Sequence, residues 1–265
     1  DIAGDVDSIS QITADGSPVL DEDGHRTYEV NKVAPSQTEE RFGFNVGGPL
    51  IEDKLFYFVN YNSWKSELDL DYGFEGSGAT NEYDVSEESY NQFISILDSV
   101  YGMQDSLGGD PEDTNESLLV KLSWNVSDDH RLDFTYQWQD DQDERNFGTG
   151  GSTVDLASSR YTYATKFNNF SSKLYSDWNE DFSTEIGIAY KDVSSDSITN
   201  SNIGSVKVEE RFRGPAFQFG TDEFRHANSS ATETLTLTLD ATYLLDEHEL
   251  SFGARSWAWL RAHPT

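Results

Sequence analysis

Hydrophobic residues recur at every second position through much of this chain, and the runs come in pairs. Leu118, Val120, Leu122 and Trp124 alternate with Lys121, Ser123 and Asn125. After the polar turn Ser127-Asp128-Asp129-His130 the alternation returns, with Leu132, Phe134, Tyr136 and Trp138 set against Asp133, Thr135, Gln137 and Gln139. Leu235, Leu237, Leu239, Ala241 and Tyr243 oppose Thr234, Thr236, Thr238, Asp240 and Thr242, and Leu250, Phe252 and Ala254 follow the turn Leu245-Asp246-Glu247-His248. Ile186, Ile188 and Tyr190 follow the turn Asn179-Glu180-Asp181, and Phe42, Phe44 and Val46 lead into Gly47–Asp53. Side chains on a strand point alternately to its two faces, so each run predicts a strand with one apolar and one polar side.

The connections are unequal. Short polar turns close each hairpin, whereas long acidic stretches cover roughly 66–113, 140–160 and 192–231. A β-sandwich has no reason to gather its short connections at one end. A transmembrane β-barrel does, with tight turns on one side and long loops on the other. The pattern therefore predicts an all-β fold, an antiparallel transmembrane β-barrel segment of about eight strands with one short helix in an outer loop. That helix is expected after Ser86, where Glu87 and Glu88 make an acidic start. Tyr90, Phe93, Ile94, Leu97 and Tyr101 recur at helical spacing, and Gly102 can end it.

Composition narrows the function. No run reaches the ~18–20 apolar residues of a membrane helix, but barrel strands expose only alternate residues to lipid. The net charge is −31, and residues 66–113 hold thirteen Asp or Glu with no Lys or Arg. Such a field repels phosphates, which excludes a nucleic-acid partner. The acidity fits either attraction of cations, as metal ions or a basic ligand, or a surface suited to a salty habitat. No cysteine is present, so thiolate chemistry is excluded. Asp69-x-Asp71 and Asp140-Asp141-x-Asp143-Glu144 offer carboxylates to Ca²⁺ but lack the spacing of an EF-hand loop. The histidines and carboxylates form no catalytic motif, so no enzyme activity, cofactor or metal site is expected. Trp124, Trp178 and Tyr243, near three of the short turns, predict an interfacial aromatic girdle.

The stretch Arg41-Phe-Gly-Phe-Asn-Val-Gly-Gly-Pro-Leu-Ile-Glu-Asp-Lys-Leu-Phe-Tyr-Phe-Val-Asn-Tyr61 resembles the early-barrel signature of Oar-like TonB-dependent receptors. There a strand ends in Gly-Gly-Pro, an Ile-x-Asp-Lys turn follows, and an aromatic strand closes with Asn-Tyr. The Leu118–Trp138 hairpin and Phe219-Gly220-Thr221-Asp222-Glu223-Phe224 are similar to that family too. The resemblance covers about Arg41 to Arg255. Gly47 and Gly48 are expected to adopt turn angles barred to other residues, with Pro49 fixing the turn and Asp53 and Lys54 completing it. Lys54 is expected at headgroup level.

The resemblance implies a receptor of the bacterial outer membrane with about 22 strands around a plug. Its partners would be outer-membrane lipid, the TonB complex acting through that plug, and a ligand that is a siderophore, a peptide or an oligosaccharide. On this layout residues 1–38 form the outer loop after the first barrel strand, 39–255 a partial barrel, and 256–265 an aberrant or truncated tail where alternation fails. Outer-loop aromatics Tyr83, Tyr101, Phe212, Phe217 and Phe219 are the candidate ligand contacts. The competing readings are a secreted acidic all-β binding module of the Ca²⁺-dependent adhesin kind and a passive porin.

Overall fold

The computed structural model describes residues 7–10, 19–25, 28–31, 36–79, 81–145, 153–209, 216–221 and 228–264. Its strands are β1 (Asp7–Ser10), β2 (Tyr28–Asn31), β3 (Ser36–Ile51), β4 (Leu55–Asp69), β5 (Tyr72–Gly73) and β6 (Asn81–Glu82). Helix α1 (Glu87–Tyr101) follows, then β7 (Glu112–Asn125), β8 (His130–Arg145), β9 (Thr153–Asp155), β10 (Tyr161–Asn179) and β11 (Phe182–Thr199). The chain closes with β12 (Val206–Glu209), β13 (Ala216–Phe219), β14 (Ser229–Leu245) and β15 (His248–Pro264).

Eight of these strands make one antiparallel sheet in the order β15-β14-β11-β10-β8-β7-β4-β3. It is a meander in which every neighbour in space is the neighbour in the chain. Hairpins β3–β4, β7–β8, β10–β11 and β14–β15 turn within a few residues, and the long connections all leave the opposite end. Within this sheet β3 and β15 each pair on one side only. Three smaller pieces lie apart from it: β1-β2, β5-β6 and β12-β13-β9.

Two features of the first hairpin correct the sequence reading. Gly47, Gly48 and Pro49 lie inside β3 and do not make the turn. The turn is Glu52–Lys54, and Asp53 takes the left-handed conformation at φ 57°. Gly47 is required for a different reason. A Cβ there would lie 3.0 Å from the Tyr57 carbonyl oxygen and 3.1 Å from a ring carbon of Phe58, so the missing side chain makes room for β4. Gly48 meets nothing within 4 Å. Pro49 is tolerated near the end of β3, where the register shifts between Pro49 and Ile51.

The main strands run 14 to 19 residues, longer than the ~9–11 a tilted strand needs to cross a bilayer. The excess lies toward the long loops, where alternation fades because both faces are polar. Helix α1 begins as expected. Ser86 Oγ accepts from the Ser89 amide, and Gly102 at φ 66° donates to the Asp98 carbonyl. The last strand departs from expectation, because residues 256–264 continue it to Pro264 against β14. Backbone pairing carries it, with Leu260 as the extra residue at a register shift. No helix among the described residues is long and apolar enough to cross a membrane.

Candidate functional site

Directly opposed residues of an antiparallel pair share a face, so the register maps both surfaces of the sheet. One row runs Val46, Val59, Val120, Tyr136, Phe170, Tyr190 and Leu235 across seven strands. The next two rows toward the short turns carry Tyr57, Leu122, Phe134, Ser172, Ile188 and Leu237, then Leu55, Trp124, Leu132, Leu174, Ile186 and Leu239. Among the described residues no second layer covers this face. Phe44, Ile186, Ile188, Leu237 and Leu239 each keep nearly half their surface exposed. An apolar surface of this extent is far beyond the few hundred Å² a soluble monomer shows.

The band has chemical edges. Toward the long loops Tyr61 donates to Glu116 at 3.2 Å, Tyr136 to Asn168 at 3.0 Å and Tyr190 to Glu233 at 3.1 Å. Beyond them on the same face lie Lys65 with Glu112 at 2.6 Å and Lys166 with Asp140 at 3.8 Å. Toward the short turns Trp124, Trp178 and Tyr243 lie at the margin of the band, exposed by 44%, 55% and 39%. The Trp178 indole N–H donates to Thr184 Oγ1 at 2.9 Å, and its ring meets His130 edge-on at 5.2 Å. Lys54 and Asp53 lie below them at the first turn, where the Asp53 carbonyl accepts from Asn125 Nδ2 at 3.0 Å.

The other face is polar and graded. Nearest the short turns, Lys121 and Arg131 flank Asp133 at 3.0 and 3.6 Å, and Lys173 pairs with Glu185 at 2.5 Å. The guanidinium of Arg131 sits 4.3 Å over the Tyr175 ring. Further toward the loops, two rows mix amides and hydroxyls with Leu119, Phe167, Val193 and Lys191, and beyond them lie Arg41, Asp141, Asp113 and Asp143. The carboxylates of residues 140–144 do not converge as a cation site. They belong to β8, so Asp140 and Glu144 face the apolar side while Asp141 and Asp143 face the polar one.

The long loops fold into a layer with its own core. Tyr83, Val85, Leu97, Val154, Leu156 and Phe219 are buried together, with Tyr72, Phe74, Tyr90, Phe93 and Phe217 packed around them. Phe93 and Phe217 stack at 4.2 Å and Tyr72 and Tyr83 at 5.1 Å. The candidate ligand aromatics therefore separate. Tyr83 and Phe219 are interior, 7% and 5% exposed, and Phe217 is held against α1. A ring so enclosed packs the loops and offers no face to a ligand while the layer stays closed. Tyr101 is 68% exposed at the end of α1, and Phe212 lies outside the described residues. The unpartnered apolar stripe of α1 was the sequence signal for this core, since it demands rings from other loops.

Arg160 ties the layer to the sheet. It is 6% exposed, and Nη1 donates to the Gly109 carbonyl at 2.6 Å and to Glu144 at 3.3 Å. Ser158 bonds Asp105 through its hydroxyl, which also accepts from the Gly220 amide at 2.7 Å. Glu82 closes a tight turn by accepting from Gly76 at 3.0 Å and Gly78 at 2.6 Å. Those amides hold its carboxyl below the usual carboxylate range. The turn therefore gains stability above that range and loses it as pH falls through the lowered value. Amide exchange at Gly76 and Gly78 should accelerate in acid, and Glu82→Gln should show the fast exchange already at pH 7.

A single-layer antiparallel meander, apolar on one face and polar on the other, with turns and loops segregated by end, is the wall of a β-barrel. No family model and no curated protein matches the sequence. Among solved structures the chain is similar to the outer membrane transporter YddB from Escherichia coli, with a TM-score of 0.56 at 11% identity. The likeness covers 88% of this chain and 26% of that one, so the chain spans about a quarter of the transporter's length. At that identity the likeness establishes the fold alone: the wall of a β-barrel, eight strands wide.

Proposed function

We propose that this chain is part of a TonB-dependent outer-membrane receptor of the Oar-like kind, which binds a ligand from outside and takes it up at the expense of an inner-membrane energy source. The observation that carries the reading is the uncovered apolar face spanning all eight strands, bordered by tyrosines on one side and Trp124, Trp178 and Tyr243 on the other. That face fits lipid, with the short turns toward the periplasm and the acidic loop layer outside. The girdle residues would sit at the lipid–water boundary, and Lys54 would reach the inner headgroups. The Arg41–Tyr61 signature supports the Oar-like kind and hence coupling to TonB through a plug. A secreted adhesin of two packed sheets would bury this face, and a passive porin has no use for the signature.

The test is cellular. The whole receptor should fractionate with the outer membrane and accumulate its ligand only while TonB is present. Uptake unchanged by loss of TonB would leave a barrel but overturn the energised receptor. The isolated 265-residue chain should aggregate in water without detergent, because both sheet edges and the apolar face are uncovered. A soluble monomer that unfolds cooperatively would overturn the membrane reading.

A further inference from the structure

The seam between β7 and β8 changes character along its length. Its middle is neutral, with Leu118 opposite Trp138, Val120 opposite Tyr136 and Leu122 opposite Phe134. Toward the loops it sets carboxylate against carboxylate. Glu116 lies directly opposite Asp140 on the apolar side, and Asp113 directly opposite Asp143 on the polar side. Directly opposed side chains stand about 4.5–5.5 Å apart at Cβ, where like charges destabilise the pair. Glu112 adds a carboxylate beside Glu144, and its amide donates to Glu144 at 3.4 Å. With Asp141 the loop end of this one seam holds seven acids, and over the same residues β7 and β8 supply one cation, Arg145.

The other cations reach in from outside the seam. Lys65 of β4 meets Glu112 at 2.6 Å, Lys166 of β10 meets Asp140 at 3.8 Å, and Arg160 meets Glu144 at 3.3 Å. Arg145 holds Asp143. Four cations thus serve seven carboxylates. The remaining three acids take neutral donors: Glu116 the Tyr61 hydroxyl at 3.2 Å, Asp113 the Glu144 backbone amide at 3.1 Å, and Asp141 the Asn115 side-chain amide at 2.7 Å. Around Asp113, β4 sets Ser66 opposite, and β8 sets Asp141, Asp143 and Arg145. Burial and the Asp143 charge push the Asp113 carboxyl above the usual carboxylate range.

We propose that the loop end of this seam is a clasp that tightens as salt or acid relieves its opposed carboxylates, and that it sets how firmly the loop layer is held. Screening weakens attraction as well as repulsion. Carboxylates outnumber cations here, however, and the Arg160–Glu144 pair is sheltered from solvent, so salt reaches it less. Arg160 also holds the Gly109 carbonyl at 2.6 Å, and the Leu68 amide donates to the Pro111 carbonyl at 3.2 Å. The clasp therefore lies at the root of the loop before β7. Acid acts in the same direction as salt. A carboxyl whose folded value is raised binds its proton more readily in the folded state, so the seam gains stability as pH falls through that value. The Glu82 turn responds oppositely. The clasp needs no bound ion and no step of uptake, only the assembled wall.

The experiment is hydrogen–deuterium exchange of the whole receptor in a neutral detergent at about 0.1 M and about 1 M NaCl, between which the screening length falls from about 10 to about 3 Å. Protection of residues 112–116 and 140–144 should rise about 3–20-fold with salt as two opposed pairs are relieved. Residues 118–122 and 134–138 of the same seam should change by less than about twofold. Asp113→Asn combined with Glu116→Gln keeps both acceptor oxygens and removes two charges. That variant should be protected already at low salt and lose most of the response, whereas Glu180→Gln, at the far turn, should keep it. On acidification at low salt, protection corrected for intrinsic exchange should rise at 112–116 and fall at Gly76 and Gly78. Heat-modifiable electrophoretic mobility checks that each variant is an assembled barrel. Lower protection in salt, an equal response along the whole seam, or a double variant with the unsubstituted response would overturn the clasp. So would full closure by micromolar calcium at low salt, which would mean a bound ion. Recovery of the receptor in the outer-membrane fraction tests the receptor reading separately, so an assembled receptor that fails these measurements overturns the clasp alone.

Discussion

Replacing Leu239 with arginine is expected to destabilise the assembled barrel by about 2–4 kcal/mol, the cost of a cation on the lipid face near the bilayer midplane. Leu239 lies midway along the Leu235–Tyr243 run, opposite Ile186 and Ala254 on its two neighbours. The same change at Tyr243, near the turn end of the band, should cost only about 0–1 kcal/mol. Thr236→Arg, on the polar face opposite Ala189 and Trp257, should change stability by less than about 1 kcal/mol, since the charge stays in water. Urea unfolding of the receptor in phospholipid vesicles measures all three. The contrast between faces matters more than any single value. Equal costs at positions 236 and 239 would mean that both faces pack against protein.

The second large effect belongs to Arg160. Removing a nearly buried cation leaves the Gly109 carbonyl without its donor and the Glu144 carboxylate with only the Glu112 amide, and cutting one partner from a buried pair costs about 3–5 kcal/mol. Glu144 keeps about a quarter of its side chain in solvent, which lowers the expectation for Arg160→Ala to about 2–4 kcal/mol. The loss should fall on the loop layer and spare the sheet. Gly108 lies so close to the guanidinium that a Cβ would overlap it at 2.0 Å, so the loop before β7 loses its support. Limited proteolysis should cut within residues 103–110 far faster in the variant, while heat-modifiable mobility of the barrel is retained. Unchanged cleavage would show that the aromatic core holds the layer alone. That core has its own test, since Leu97→Ala should loosen the same loops at a cost of about 2–5 kcal/mol.

The parts of this fold that were legible in the sequence are those where one face meets an apolar medium. Leu235 to Tyr243 against Thr234 to Thr242 reads as a strand because alternation there has a physical cause. Residues 140–145 and 161–166 belong to the same strands, yet both their faces are polar, so nothing in the pattern distinguishes them from loop. The α1 boundaries were legible because Ser86 and Gly102 are chemical stops. Gly47 was misread because close approach and left-handed geometry both select glycine, and only the register with Phe58 separates them. Tyr83 and Phe219 invited a ligand role because an aromatic in a long polar loop has no visible partner. Tyr83 meets Tyr72 and Phe74 of its own loop and Phe219 meets Phe93 of another, contacts that no alternation announces.

The most direct test of the account uses the absence of cysteine from the chain. Single cysteines placed at each position from Thr234 to Tyr243 of the assembled receptor can carry a nitroxide label in phospholipid vesicles. Accessibility to oxygen, which partitions into lipid, should peak at 235, 237, 239 and 241. Accessibility to a water-soluble nickel chelate should peak at 234, 236 and 238, giving two period-two waves in opposite phase. Waves in phase, or an apolar face closed to both reagents, would contradict a lipid-facing wall and place that face against protein.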